Sequence, residues 1–166
     1  MSLRKQIEQI GLTLPPQPAA PAGDYVRLVE HLGLIEVSGQ IPVGDDGKLL
    51  AAGKVGAEVD LETAQRCAER CVLNALGAVD AALGLTFGRR FERAVKLRVY
   101  VASDPGFTRQ HVVADAASGL LVRALGDRGR HARAAVGCVS LPLDAPVEVE
   151  LTLGLRSLGD DHGGAD

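Results

Sequence analysis

Between Asp60 and Leu83 the chain carries Leu61, Ala64, Ala68, Cys71, Val72, Ala75, Leu76, Val79 and Leu83, an unbroken apolar stripe at helical spacing. Asp60 ahead of Thr63 supplies an N-cap, and Gly84 supplies the stop. A long helix with one apolar face needs a second layer to cover it. That layer follows at once, because Phe91–Ser103 switches to a period of two, with Val95, Leu97, Val99 and Val101 on one side and Lys96, Arg98 and Tyr100 on the other. The chain is therefore expected to pack helices on a sheet, an α+β domain.

The remaining elements follow from the same signals. Ser2–Ile10 reads as a short helix capped by Ser2, with Leu3, Ile7 and Ile10 on one face, ended by Gly11 and the proline-rich stretch Pro15–Pro21. Tyr25–Leu32 and Leu34–Ile41 read as a hairpin joined at Gly33, closed by Pro42 and a turn over Gly44–Gly47. Phe107–Leu125 reads as a second core helix stopped by Gly126. Two last strands, Ala132–Leu141 and Val147–Leu155, are separated by Pro142 and Pro146. Two helices then cover one sheet face. The other face carries Lys96, Arg98, Glu148 and Glu150, suited to solvent or to a subunit interface with paired charges. The organisation expected is a helix and lead-in over 1–23, one domain over 24–156 and a Gly/Asp-rich disordered tail over 157–166.

Charge and composition narrow the partners. A net charge of −3 and the absence of Trp disfavour nucleic acid, which asks for a basic stripe and aromatic stacking platforms. No apolar run reads as a membrane span, and the N-terminus lacks a charged region followed by an apolar one, so the cytoplasm is the expected compartment. Cys67, Cys71 and Cys138 are an odd set, read as small apolar residues in a reducing compartment. His31, His111, His131 and His162 form no metal-binding spacing, and no metal site is expected.

A few positions invite chemistry. In Val37–Pro42 (VSGQIP) a glycine interrupts a strand, the mark of a bulge or of close approach by another group; an ordinary strand end fits the same residues. Arg133 stands where a Gly/Arg-rich loop enters a strand, a position suited to a bidentate grip on a carboxylate or simply to solvent. Glu148 lies on the polar side of the last strand, where it is able to activate water or to pair with a cation.

Taken together, VSGQIP at 37–42, CVLNAL at 71–76 with Asn74, and HARAAVGCVSLPLDAPVEVEL at 131–151 resemble the YjgF/RidA family, also called endoribonuclease L-PSP. The resemblance runs from about Tyr25 to Leu155. It implies a chorismate-mutase-like fold of the Bacillus type, with a mixed sheet, two core helices on one face and an extra N-terminal helix. It also implies a homotrimer with pockets between subunits, and hydrolysis of reactive enamines and imines to 2-oxo acids and ammonia without metal or cofactor. By this resemblance Arg133 clamps a substrate carboxylate and Glu148 positions water. Tyr25, Ser38 and Gly39 line the pocket. Asp115 and Ala135 stand where the family has a pocket asparagine and cysteine, and His131-Ala132-Arg133-Ala134 replaces a Pro-Ala-Arg-Ser motif. The ligand expected is a small carboxylate or imino acid. A non-catalytic module binding small carboxylates and an endoribonuclease are the alternative readings.

Overall fold

The computed structural model describes residues 1–16 and 23–156. The expected tail over 157–166 and most of the proline-rich stretch lie outside the described residues. The chain runs α1 (Leu3–Gln9), β1 (Leu28–His31), β2 (Leu34–Gln40), α2 (Leu61–Leu83), a 3-10 turn at Gly84–Thr86, α3 (Phe87–Arg90), β3 (Phe91–Ala102), α4 (Gln110–Leu125), β4 (Ala132–Cys138) and β5 (Val147–Leu155).

Local chemistry explains most boundaries. The Asp60 carboxylate accepts from the Thr63 amide at 2.7 Å, and Ser2 caps α1 in the same way. Gly84 and Gly126 end α2 and α4 with φ of +48° and +62°, where a Cβ would be strained. The hairpin between β1 and β2 turns through Leu32 and Gly33, both at positive φ, as a two-residue turn of the primed kind requires. The second core helix begins at Gln110 rather than Phe107. Asp104 first folds the chain into a turn, its carboxylate accepting from Gly106 and its carbonyl from Phe107.

The sheet order is β1-β2-β5-β3-β4. All pairs are antiparallel except β3 with β4, which are parallel because α4 crosses over between them. One face is apolar and carries α2 and α4: Leu97, Val99, Val149, Leu151 and Leu153 are at most 1% exposed. Val95 departs from the sequence expectation. A bulge between Ala94 and Lys96 shifts the alternation, so Ala94 enters the core and Val95 is 38% exposed.

Leu3 and Ile7 of α1 are fully buried in the same core as α2 and α4. Over Leu61–Arg90 the chain is long and apolar enough to cross a membrane by length and composition, contrary to the reading of the sequence. In the fold α2 is the central packing helix, with Cys67, Cys71, Val72, Leu76 and Val79 fully buried.

Candidate functional site

The bulge anticipated at Gly39 is present. Val37 pairs with Leu151 while Gln40 pairs with Val149, so Ser38 and Gly39 together face the single residue Glu150. Ser38 fastens the bulge to the preceding segment, its amide donating to the Arg27 carbonyl at 2.9 Å and its hydroxyl to the Val26 carbonyl at 2.6 Å. Gln40 folds back onto the Ser38 and Gly39 carbonyls. From α2, the buried Asn74 donates through its side-chain amide to the carbonyls of Ile41 and Val43, holding the chain that leaves the bulge. Sequence reasoning gave Asn74 no structural task; its polar group on an otherwise apolar stripe was the available signal.

Glu148 stands over this bulge. A Cβ placed on Gly39 would lie 1.8 Å from Glu148 Oε1. Burial, and then the negative charge of Glu150, push the Glu148 carboxyl above its usual range. Its neighbour Glu150 is committed, taking Arg98 at 3.4 Å and the Tyr100 hydroxyl at 3.2 Å. Glu148 makes no hydrogen bond or ion pair among the described residues. Cys138 shares this open face, and burial and the Glu148 charge push its thiol up, so it stays protonated. Tyr25, 53% exposed, leads into β1 next to the Val26 carbonyl that Ser38 holds.

Arg133 is elsewhere. Its register partner is Leu97, whose own partner across β3 is Leu151, so Arg133 points to the helix-covered face. There it is no solvated arginine. Its side chain is 27% exposed, with Nη1 donating to Asp115 Oδ1 at 2.8 Å and to Ser118 Oγ at 3.2 Å, both on α4. Ala135 follows on the same face, half-buried against the core.

Glu148 pairs with Tyr100 and so points to the open face, two strands and three residues away. At ordinary strand spacings their Cα atoms are about 14 Å apart, and their side chains point to opposite sides of the sheet. The expected site residues thus form two clusters. Ser38, Gly39 and Glu148, with Tyr25 beside them, lie toward one edge, and Arg133, Asp115 and Ala135 lie at the other. A small molecule held by Arg133 is out of reach of Glu148 in the same chain.

The sequence matches the endoribonuclease L-PSP family over residues 16–153, which takes in both clusters. The chain belongs to that family. Protein TCP17 of Trypanosoma cruzi is 40% identical over 152 residues, covering 91% of this chain and 92% of the other. Atu1372 of Agrobacterium tumefaciens, a protein of unknown function, has 40% identity and a TM-score of 0.82, covering 93% of this chain and 92% of its own. A Shewanella oneidensis protein described as a candidate endoribonuclease has 26% identity and a TM-score of 0.86, covering 93% of this chain and 100% of its own. The mixed α+β sheet is thus that of other endoribonuclease L-PSP proteins at nearly full length.

Proposed function

We propose that this protein hydrolyses small 2-imino acids to 2-oxo acids and ammonia, in clefts where the arginine edge of one copy meets the bulged strand of the next, in a cytoplasmic homotrimer. The observation that carries this reading is the pair of uncommitted groups: a carboxylate over Gly39 with no partner among the described residues, and a guanidinium edge with none. Because the two lie on opposite faces, a second copy is needed to bring them onto one substrate.

The chemistry asks little of the protein. An imino acid presents a carboxylate beside an electrophilic carbon. Arg133 holds the carboxylate through its Nε–Nη2 edge, and Glu148 takes a proton from water as the water oxygen bonds to the imine carbon. The proton passes to nitrogen to give a carbinolamine; Glu148 then carries the hydroxyl proton to the amine as the carbonyl forms and the carbon–nitrogen bond breaks, so that the 2-oxo acid and ammonia leave. Placement and proton transfer account for the acceleration. A carboxyl with a raised pKa is better matched to this task near neutral pH than an ordinary one.

The test is ammonia and 2-oxo acid release when an amino-acid oxidase or dehydratase generates the imine in situ. The wild type should accelerate release and Arg133→Ala should return it to the uncatalysed rate. No acceleration by the wild type, or an undiminished rate in the variant, would overturn the reading. One observation favours a second reading. Asp115 neutralises part of the Arg133 charge, which suits a regulatory module that binds small carboxylates without turnover. Stabilisation by 2-oxo acids with no hydrolysis would select it.

A further inference from the structure

Arg133 is the end of a directed hydrogen-bond chain. His131, two residues earlier and on the same side of the chain, is half-buried and bonded at both ring nitrogens. Nδ1 lies 2.6 Å from the Gly129 carbonyl oxygen and Nε2 lies 3.1 Å from Ser118 Oγ. A carbonyl only accepts, so Nδ1 carries the ring proton. In the neutral ring Nε2 is then a lone pair, and it takes the hydroxyl proton of Ser118. With that proton spent, Ser118 Oγ offers a lone pair to Arg133 Nη1 at 3.2 Å. The second hydrogen of Nη1 goes to Asp115 Oδ1 at 2.8 Å.

Every bond in this row has a forced direction, from Arg133 to Ser118 to His131 to Gly129. Both hydrogens of Nη1 are used on α4, and Nε and Nη2 have no acceptor among the described residues. The Nη2–Nε edge is the one that pairs side-on with a carboxylate.

We propose that His131 and Ser118 are positioning residues: the neutral imidazole fixes Ser118 as an acceptor, and Ser118 with Asp115 locks the Arg133 guanidinium so that its free edge faces an incoming carboxylate. This rests on the reading of Arg133 as the carboxylate anchor given above.

The protonation state follows from the surroundings. Burial holds the His131 pKa below its usual value, the positive charge of Arg133 acts in the same direction, and the Gly129 bond opposes both. Arg93 of β3 and Arg130 line the hollow beside the ring, and Arg133 follows on its own strand. Asp115 of α4 is the carboxylate of the cluster, and Asp127 is engaged by Arg130. At neutral pH the ring is therefore neutral and the lock is set. Protonation would place a hydrogen on Nε2 against Ser118, turn the hydroxyl away and add a cation beside three arginines.

Amide variants separate this role from packing, because glutamine places an acceptor near the Nε2 position and asparagine occupies the Nδ1 side only. Pyruvate affinity and imine kinetics should be measured for wild type, His131→Gln, His131→Asn and Ser118→Ala, with Tm as a check on folding. Gln should stay within about twofold of wild type. Asn and Ser118→Ala should each weaken pyruvate binding and raise KM about tenfold, with kcat within about twofold.

Nitrogen NMR of the wild-type ring should show the Nδ1-protonated tautomer. Equal behaviour of Gln and Asn, whether both intact or both impaired, would reduce His131 to a packing role and overturn the inference. If Asn does not fold, Ser118→Ala at wild-type affinity overturns it alone. A wild type that neither binds pyruvate nor hydrolyses imine removes the anchor itself, and both proposals with it.

Discussion

The Glu148 carboxylate occupies the space in which a side chain at position 39 would begin, with a Cβ on Gly39 falling 1.8 Å from Oε1. The obstructing atom is the end of a flexible side chain, and Gly39 does not have positive φ. Gly39→Ala should therefore fold with little change in Tm while swinging Glu148 off the bulge. Imine hydrolysis should fall at least about tenfold, as expected when a catalytic group is displaced. A fully active Gly39→Ala would detach Glu148 from the chemistry.

Glu148→Gln should cost hydrolysis about a hundredfold or more, the range for removing a general base. Since the base must be ionised, the wild-type rate should fall as pH drops through a midpoint above 4.5, the ordinary value. Rate against pH from 4 to 8 checks both statements.

The same substitution should raise stability. The folded pKa of Glu148 is lifted, so between the unfolded and folded values the native state binds more protons and stability falls as pH rises. Above the folded value the cost of the charged, partly buried carboxylate is fully present, and below the unfolded value it is gone. Glu148→Gln should thus have a higher Tm than wild type at pH 7, with the gap closing near pH 4. Thermal melts at both pH values decide it, and a less stable variant at pH 7 would contradict it.

Asn74→Ala would strip two carbonyls, those of Ile41 and Val43, of their donor in a partly buried setting. Denaturant unfolding should show a loss of about 2–3 kcal/mol, from the lost bonds and the acceptors left behind. A change under about 0.5 kcal/mol would mean that water replaces the amide freely.

Gly129→Ala meets backbone rather than a movable side chain, with its Cβ 2.3 Å from the Leu121 carbonyl oxygen. Relief requires shifting α4 or the turn that carries the Gly129 carbonyl bonded to His131. Urea melts should show destabilisation of about 1–3 kcal/mol, the usual cost of overpacking. Wild-type stability would show that the turn is free to move.

Legibility in the sequence followed how local each determinant was. The cap, stripe and stop of α2 lie within the helix itself, and β5 alternates from Val147 to Leu153, so both matched their expected spans. Tyr25–Val26 did not join β1, which begins at Leu28. Ala132–Leu141 shortened to Ala132–Cys138. The glycine in VSGQIP announced the bulge, and the resemblance supplied the names of the site residues. Ser118 as a partner of Arg133, and His131 as the partner of Ser118, were invisible, because both contacts reach α4 across 15 and 13 residues and neither spacing is a motif.

By itself the sequence determined an α+β domain, its helix ends and the polar side of β5, because periodicity, caps and glycines act over a few residues. Which way Arg133 points was left to tertiary structure. β4 reads Ala-Arg-Ala-Ala-Val-Gly-Cys, with no alternation to choose a face, and only its pairing with Leu97 turns the guanidinium toward α4. That pairing, reached through the α4 crossover, sets Arg133 and Glu148 on opposite sides of one sheet.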